Sequence, residues 1–232
     1  MNRPRKVLLG TPCYDGRPEA WYMDSVLQTI ELCARRGIVL KPILMSYDAM
    51  IQRARNDLLK LALASGFDDI LYIDADEVWQ PQWAVALIEH DVDVVGAAVR
   101  KKTDDAELYN VRARSPFMPV DAKTGLWMVD GIGTGFVRLS RKAMQALWDA
   151  SEADEYEDNG KINRMVFNVA VVNRRLVSED NFMCNRLAAA GFKIFIDPSF
   201  TVAHIGPKRY TGDFASYVAQ LQRNLKAQGV AA

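Results

Sequence analysis

The stretch Ile70-Leu71-Tyr72-Ile73-Asp74-Ala75-Asp76 runs four apolar or β-prone residues into two carboxylates one residue apart. A short continuous run of that kind suits a strand buried on both faces, and the turn formers Ser65-Gly66-Phe67-Asp68-Asp69 lead into it. As a central parallel strand it puts Asp74 and Asp76 at its carboxyl end, where open α/β sheets bind ligands. Two carboxylates there suit a hard divalent cation. Residues two apart on a regular strand are separated by about 6.6 Å, whereas a Mg2+ to oxygen bond measures about 2.1 Å. Both aspartates reach one ion directly only if the chain turns, so the expectation is one direct ligand and one acting through water or ribose. Helix capping is the competing reading, because Pro81 suits the first position of a helix over residues 82–90.

Outward from that stretch, the chain repeats the same alternation. Val7-Leu8-Leu9-Gly10 reads as a first strand that ends in the turn-forming Thr11-Pro12-Cys13-Tyr14-Asp15-Gly16. A helix over residues 18–36 stops at Gly37. A second strand over residues 38–45 contains Pro42, which predicts an edge or an interruption. Asp48 is placed to cap a helix through Leu63 whose Ile51, Leu58 and Leu59 face the sheet. This β-α-β-α-β order predicts a parallel, Rossmann-like amino-terminal half.

Farther on, residues 92–99 read as a strand, residues 101–119 as a loop region, and residues 126–129 and 136–139 as strands around Asp130-Gly131-Ile132-Gly133-Thr134-Gly135. Ser140 caps a helix over residues 141–150, and the acidic residues 149–158 read as a solvated loop. Ser178 opens a helix closed by Gly191. Residues 194–196 and 200–203 read as two short strands, the second ending at His204, and a last helix spans residues 214–228 on the surface.

The 232 residues, 50% of them hydrophobic, suffice for one compact domain with a substantial core. Equal numbers of basic and acidic residues, 29 each, give no global footprint for nucleic acid or an anionic membrane. Cys13, Cys33 and Cys184 are odd in number and widely spaced, which supports neither a disulfide framework nor a zinc cluster. Only Val7-Leu8-Leu9 follows the basic start, too little for a signal-peptide core, and no apolar run approaches the roughly 20 residues of a membrane helix. A reduced, cytoplasmic protein without a membrane span is the simplest expectation.

Several residues carry two readings each. Glu179 and Asp180 in the first turn after Ser178 suit the helix dipole, and Asp180 at this loop-to-helix junction equally suits a general base. His204 after a strand is either a hydrogen-bonded histidine or a neutral imidazole ligand that completes a mixed site with the aspartates. Lys208 and Arg209 meet a diphosphate or form a solvated turn. Arg55, near the start of the second helix, offers paired donors to a phosphate or is an ordinary helical arginine. Gly133 and Gly135 match neither a phosphate loop nor a dinucleotide fingerprint; they allow close approach to a ligand or form a turn.

Taken in order, Thr11-Pro12, Ala54-Arg55-Asn56, Asp74-Ala75-Asp76, Gly133-Thr134-Gly135-Phe136, Glu179-Asp180 and His204 resemble a GT-A glycosyltransferase of the large inverting class, over residues 7 to about 213. The resemblance implies an α/β GT-A fold: a Rossmann-like nucleotide-binding half (residues 1–100) fused to a mixed-sheet acceptor and catalytic half (residues 101–232). It implies that Asp76, Asp74 and His204 hold Mn2+ or Mg2+ on the diphosphate of a nucleotide-sugar donor. Thr11, Pro12 and Arg55 would line the nucleotide pocket, and Asp180, beside Glu179, would serve as base. The acceptor would be a glycan, a protein side chain or a modified nucleobase. Glu77 and Ser178 depart from the family pattern, which often has aspartate and glycine there. A sugar nucleotidyltransferase and a non-catalytic nucleotide-binding module are the alternatives.

Overall fold

The computed structural model describes residues 3–104 and 106–230; Met1 and Asn2 of the basic start lie outside it. The inner strands of the amino-terminal half bury both faces, and their alternating side chains divide between two cores. In β1 (Arg5–Cys13), Val7 and Leu9 enter one core and Leu8 the other. α1 (Ala20–Arg35) covers the first face with Tyr22, Val26 and Cys33. β2 (Ile38–Ser46) pairs parallel to β1 at the sheet edge, with Pro42 opposite Leu9, so the proline sits where a missing ladder donor is tolerated.

α2 (Ile51–Ala64) covers the second face with Leu58, Leu59 and Ala62. Its first turn is fixed from outside, since Asp48 accepts from the Met50 amide and from Arg53, and Met50 rather than Asp48 is the cap residue. β3 (Asp69–Ile73) is fully buried and pairs parallel to β1, with Leu71 and Ile73 in one core and Ile70 and Tyr72 in the other. Full burial of each such side chain contributes about 1.5–3 kcal/mol.

The chain then turns through the short β4 (Glu77–Val78) into α3 (Pro81–Glu89), which has Pro81 in its first turn, and β5 (Val94–Val99). The second half adds β6 (Val111–Arg112), β7 (Trp127–Val129), β8 (Gly131–Ile132) and β9 (Phe136–Ser140). α4 (Arg141–Asp149) follows, its Ala143 amide bonded to the Ser140 hydroxyl. The acidic stretch expected as a loop is instead the end of α4, a 3-10 turn and a hairpin of β10 (Glu155–Asp158) and β11 (Lys161–Arg164). Asn159 and Gly160 make its turn at φ 51° and 75°, the primed geometry that suits the twist of paired strands. A second hairpin joins β12 (Ala170–Val172) to β13 (Arg175–Val177).

α5 (Glu179–Ala189) starts at Ser178, whose hydroxyl accepts from the Asn181 amide. The two short strands expected next are one, β14 (Ile194–Ile205), interrupted by a register shift between Asp197 and Thr201 where Pro198 falls. β15 (Arg209–Tyr210) and α6 (Phe214–Ala227) complete the chain, and Phe214 and Val218 of α6 pack on Ala98 and Ile196. The main sheet runs β15-β14-β5-β9-β3-β1-β2. Its first part is parallel as expected, and β9 lies antiparallel between β3 and β5.

Candidate functional site

β3 ends at Ile73, and the chain turns at once: the Glu77 amide donates to the Asp74 carbonyl at 3.2 Å. β4 then pairs antiparallel with β14, with Glu77 opposite His204, and the Ile205 amide donates to the Asp76 carbonyl at 2.7 Å. That register brings His204 Nε2 to 3.3 Å from Asp76 Oδ1. His204 Nδ1 lies 3.1 Å from the Arg100 carbonyl, which can only accept, so Nδ1 carries a proton and the ring is anchored with Nε2 toward Asp76. Lys102 Nζ, 2.5 Å from Asp76 Oδ2, was not singled out from the sequence. Burial raises the affinity of Asp76 for a proton, but the bonds from His204 and Lys102 outweigh it and hold the carboxyl below its ordinary range.

Asp74 faces the other way. Arg55, only 2% exposed, donates through Nη2 to Asp74 Oδ1 at 3.0 Å and through Nη1 to Glu179 Oε1 at 3.0 Å and Asp180 Oδ1 at 3.1 Å. Burial disfavours its charge, but the three carboxylates outweigh that and hold its proton more firmly than in an ordinary arginine. Tyr72 donates to the Arg55 carbonyl at 2.9 Å, which ties this turn of α2 to β3. Asp180 Oδ1 also accepts from the Thr134 amide at 3.2 Å and from its hydroxyl, whereas Oδ2 accepts no hydrogen bond among the described residues.

Glu77 lies beneath Asp74 and Asp76, 1% exposed, and its Oε2 has no partner. Burial first, then the charges of Asp74 and Asp76, push its carboxyl well above the ordinary 4.5. Gly135 makes room for it, since a Cβ there would fall 2.1 Å from Glu77 Oε1. Gly131 and Gly133 serve likewise: a Cβ would meet Arg112 at 3.0 Å in the first case and Asn110 Nδ2 at 2.3 Å in the second. None of the three has a left-handed φ, so close approach of side chains, not turn geometry, requires glycine here.

A cleft of about 350 Å3 opens over this turn, lined by Pro12, Tyr14, Asp48, Asp74, Asp76 and His204 among others. Of the residues expected around a nucleotide, Pro12, Asp74, Asp76 and His204 lie on it. Thr11 is buried behind it, 2.5 Å from the Tyr22 hydroxyl, and Arg55 lies below the surface with both Nη atoms engaged. Lys208 is off the lining, paired with Asp104 over the Tyr210 ring. Among the described residues, no three His, Cys, Asp or Glu side chains converge as a ready metal cage. Asp76 and His204 nevertheless present one oxygen and one nitrogen with the second histidine nitrogen anchored, which fits a divalent ion completed by phosphate oxygens and water.

No protein-family model and no curated protein matches this sequence. Solved structures do. A197 from STIV is 15% identical, with 87% of this chain covering 86% of that one at a TM-score of 0.52. A putative nucleotide-diphospho-sugar transferase from Desulfovibrio desulfuricans G20 is 9% identical, with coverage of 97% and 96% and a TM-score of 0.42. A glycosyltransferase involved in the glycosylation of the major capsid of PBCV-1 is 10% identical, with coverage of 64% and 68% and a TM-score of 0.36. The fold, a mixed α/β sheet covered by helices, is shared with A197 from STIV. All three cysteines are free and buried, and among the described residues no helix is long and apolar enough to cross a membrane.

Proposed function

We propose that this chain is a glycosyltransferase that uses Mn2+ or Mg2+ to move a sugar from a nucleoside-diphosphate donor to an acceptor hydroxyl. The observation that carries this reading is the meeting of Asp76 and His204 at 3.3 Å on a cleft at the carboxyl end of β3, with Asp180 held on the far side of Arg55. In this reading residues 1–100 hold the nucleotide and residues 101–232 the acceptor.

Pro12 and the exposed ring of Tyr14 offer the base apolar contact. Asp76 and His204 hold the ion, which when bound offsets charge developing on the departing diphosphate. Asp74, tied to Arg55, is left to act through water or ribose. Asp180 accepts the proton of the attacking hydroxyl at Oδ2, because Oδ1 is held by Arg55 and Thr134. Arg55 fixes the spacing between the donor-side and acceptor-side carboxylates.

Thermal unfolding with UDP and GDP, each with and without Mn2+, tests the reading. A nucleotide at roughly 100 times its dissociation constant adds about 2.7 kcal/mol, or about 5–11 °C for a chain of this size. The Mn2+-dependent part is expected to vanish in Asp76→Ala. No shift with any nucleoside diphosphate refutes the proposal, and pyrophosphate release from a nucleoside triphosphate and a sugar phosphate would replace it with nucleotidyl transfer.

A further inference from the structure

A second pocket, of about 200 Å3, lies on the other side of Arg55 from the nucleotide cleft and opens onto Asp180. Polar side chains dominate its lining, which also includes Val111 and Ile132: Lys101, Asn110, Arg112, Ser178, Asp180 and Asn181 are its side-chain hydrogen-bonding groups apart from Tyr109. Gly131 and Gly133 let these groups crowd together. A Cβ on Gly131 would fall 3.0 Å from the Arg112 guanidinium and 3.3 Å from Asn181 Oδ1. Asn110 Oδ1 is fixed by the Val99 amide at 2.7 Å, while its amide nitrogen, which lies against Gly133, donates to no atom among the described residues.

The charges are uneven as well. Arg112 donates to the Asp130 carbonyl and to Asn185 Oδ1, both at 2.8 Å, which orients the guanidinium without neutralising it. Neither Lys101 nor Arg112 has a carboxylate partner among the described residues. The one carboxylate on the lining, Asp180, pairs with Arg55, which it shares with Asp74 and Glu179. The pocket therefore presents two cations without an ion-pair partner among the described residues, set around fixed amides and one general base, in a volume suited to a single ring.

Resting on the glycosyl-transfer reading above, we propose that this pocket is the acceptor subsite and that it selects a sugar ring bearing an anionic group, a carboxylate or a phosphate. Lys101 and Arg112 face the anion, Asn110 and Asn181 meet ring hydroxyls, and the reacting hydroxyl lies at Asp180 Oδ2. In the transfer, the acceptor oxygen forms the new bond to the anomeric carbon and its proton passes to Asp180. The bond from the anomeric carbon to the diphosphate oxygen breaks, and its electron pair leaves with the nucleoside diphosphate.

The test uses the full chain saturated with the nucleoside diphosphate and Mn2+ that stabilise it, and isothermal titration with five probes: glucuronate, galacturonate, glucose 6-phosphate, glucose and galactose. At least one anionic probe is expected to bind about tenfold more tightly than its neutral counterpart, the worth of one charge-assisted contact. The carboxylate and phosphate arms show which anion is preferred. Arg112→Gln and Lys101→Met are expected to erase that preference while nucleoside diphosphate affinity stays within about twofold, because neither residue lies on the nucleotide cleft. Equal binding of neutral and anionic rings, no binding of any ring by a nucleotide-loaded protein, or an intact preference in both variants overturns the inference. Failure to bind any nucleotide instead overturns the transferase reading on which it stands.

Discussion

Arg55 is the group whose loss the site should feel most. It is 2% exposed and meets three carboxylates, Asp74, Glu179 and Asp180, at 3.0–3.1 Å. Arg55→Met keeps most of the side-chain volume and removes the charge, leaving three like charges around an apolar group. Removing one partner of a buried ion pair costs about 3–5 kcal/mol, and a chain of this length loses about 2–4 °C per kcal/mol, so a fall of roughly 6–20 °C in Tm is expected. Thermal unfolding monitored by fluorescence measures it. A second substitution separates charge from packing: in Arg55→Met/Asp180→Asn, one of the stranded charges is gone, so the double variant should lose less than the sum of the single losses. A fall of under about 2 °C in the single variant, or strict additivity in the double one, would show that the three carboxylates do not depend on Arg55 and would refute the clamp.

Three further outcomes follow from the same geometry. Glu77 holds its proton to higher pH in the folded chain than in the unfolded one, so it subtracts stability as pH rises above 4.5, at up to about 1.4 kcal/mol per unit. Glu77→Gln in EDTA should therefore gain on the native chain as pH rises from 5; a gap that stays flat or narrows contradicts this. Lys102 competes with a cation for Asp76, so Lys102→Met should tighten Mn2+ binding, read by electron paramagnetic resonance without nucleotide, by up to about fivefold; weaker binding would make Lys102 a supporting rather than a competing group. Asp180→Asn should lower turnover by about 10²–10⁴ with nucleotide affinity unchanged, and full activity in that variant removes Asp180 as the base.

What the sequence made legible was local. The apolar run before Asp74, Pro42 on an edge strand, and the Ser140 and Ser178 caps each follow from the chemistry of a few neighbouring residues, and each is found in the structure. Pro198 breaks the apolar pattern of β14, so one bulged strand reads as two. The Asn159-Gly160 pair signals a hairpin, but the surrounding acidic residues mask it. The partners of Arg55 come from α5 and from the turn after β3, and no local pattern announces them. Lys101 and Lys102 follow β5 at the carboxyl end of a sheet strand, and that position was the available signal for both. Gly133 and Gly135 read as an approach to a ligand or as a turn; with Gly131 they are instead spaces left for Asn110, Glu77 and Arg112.

The pairing of β4 with β14 also dictates when the protein becomes competent. His204 reaches Asp76 only through a ladder whose second member is nearly the last strand made. A nascent polypeptide still missing β14 can settle β1, α1, β2, α2 and β3 against one another, yet it has only half of its cation-binding pair. Cation capture thus waits for β14 to pair with β4, and an intermediate that lacks β14 would let the metal drift past.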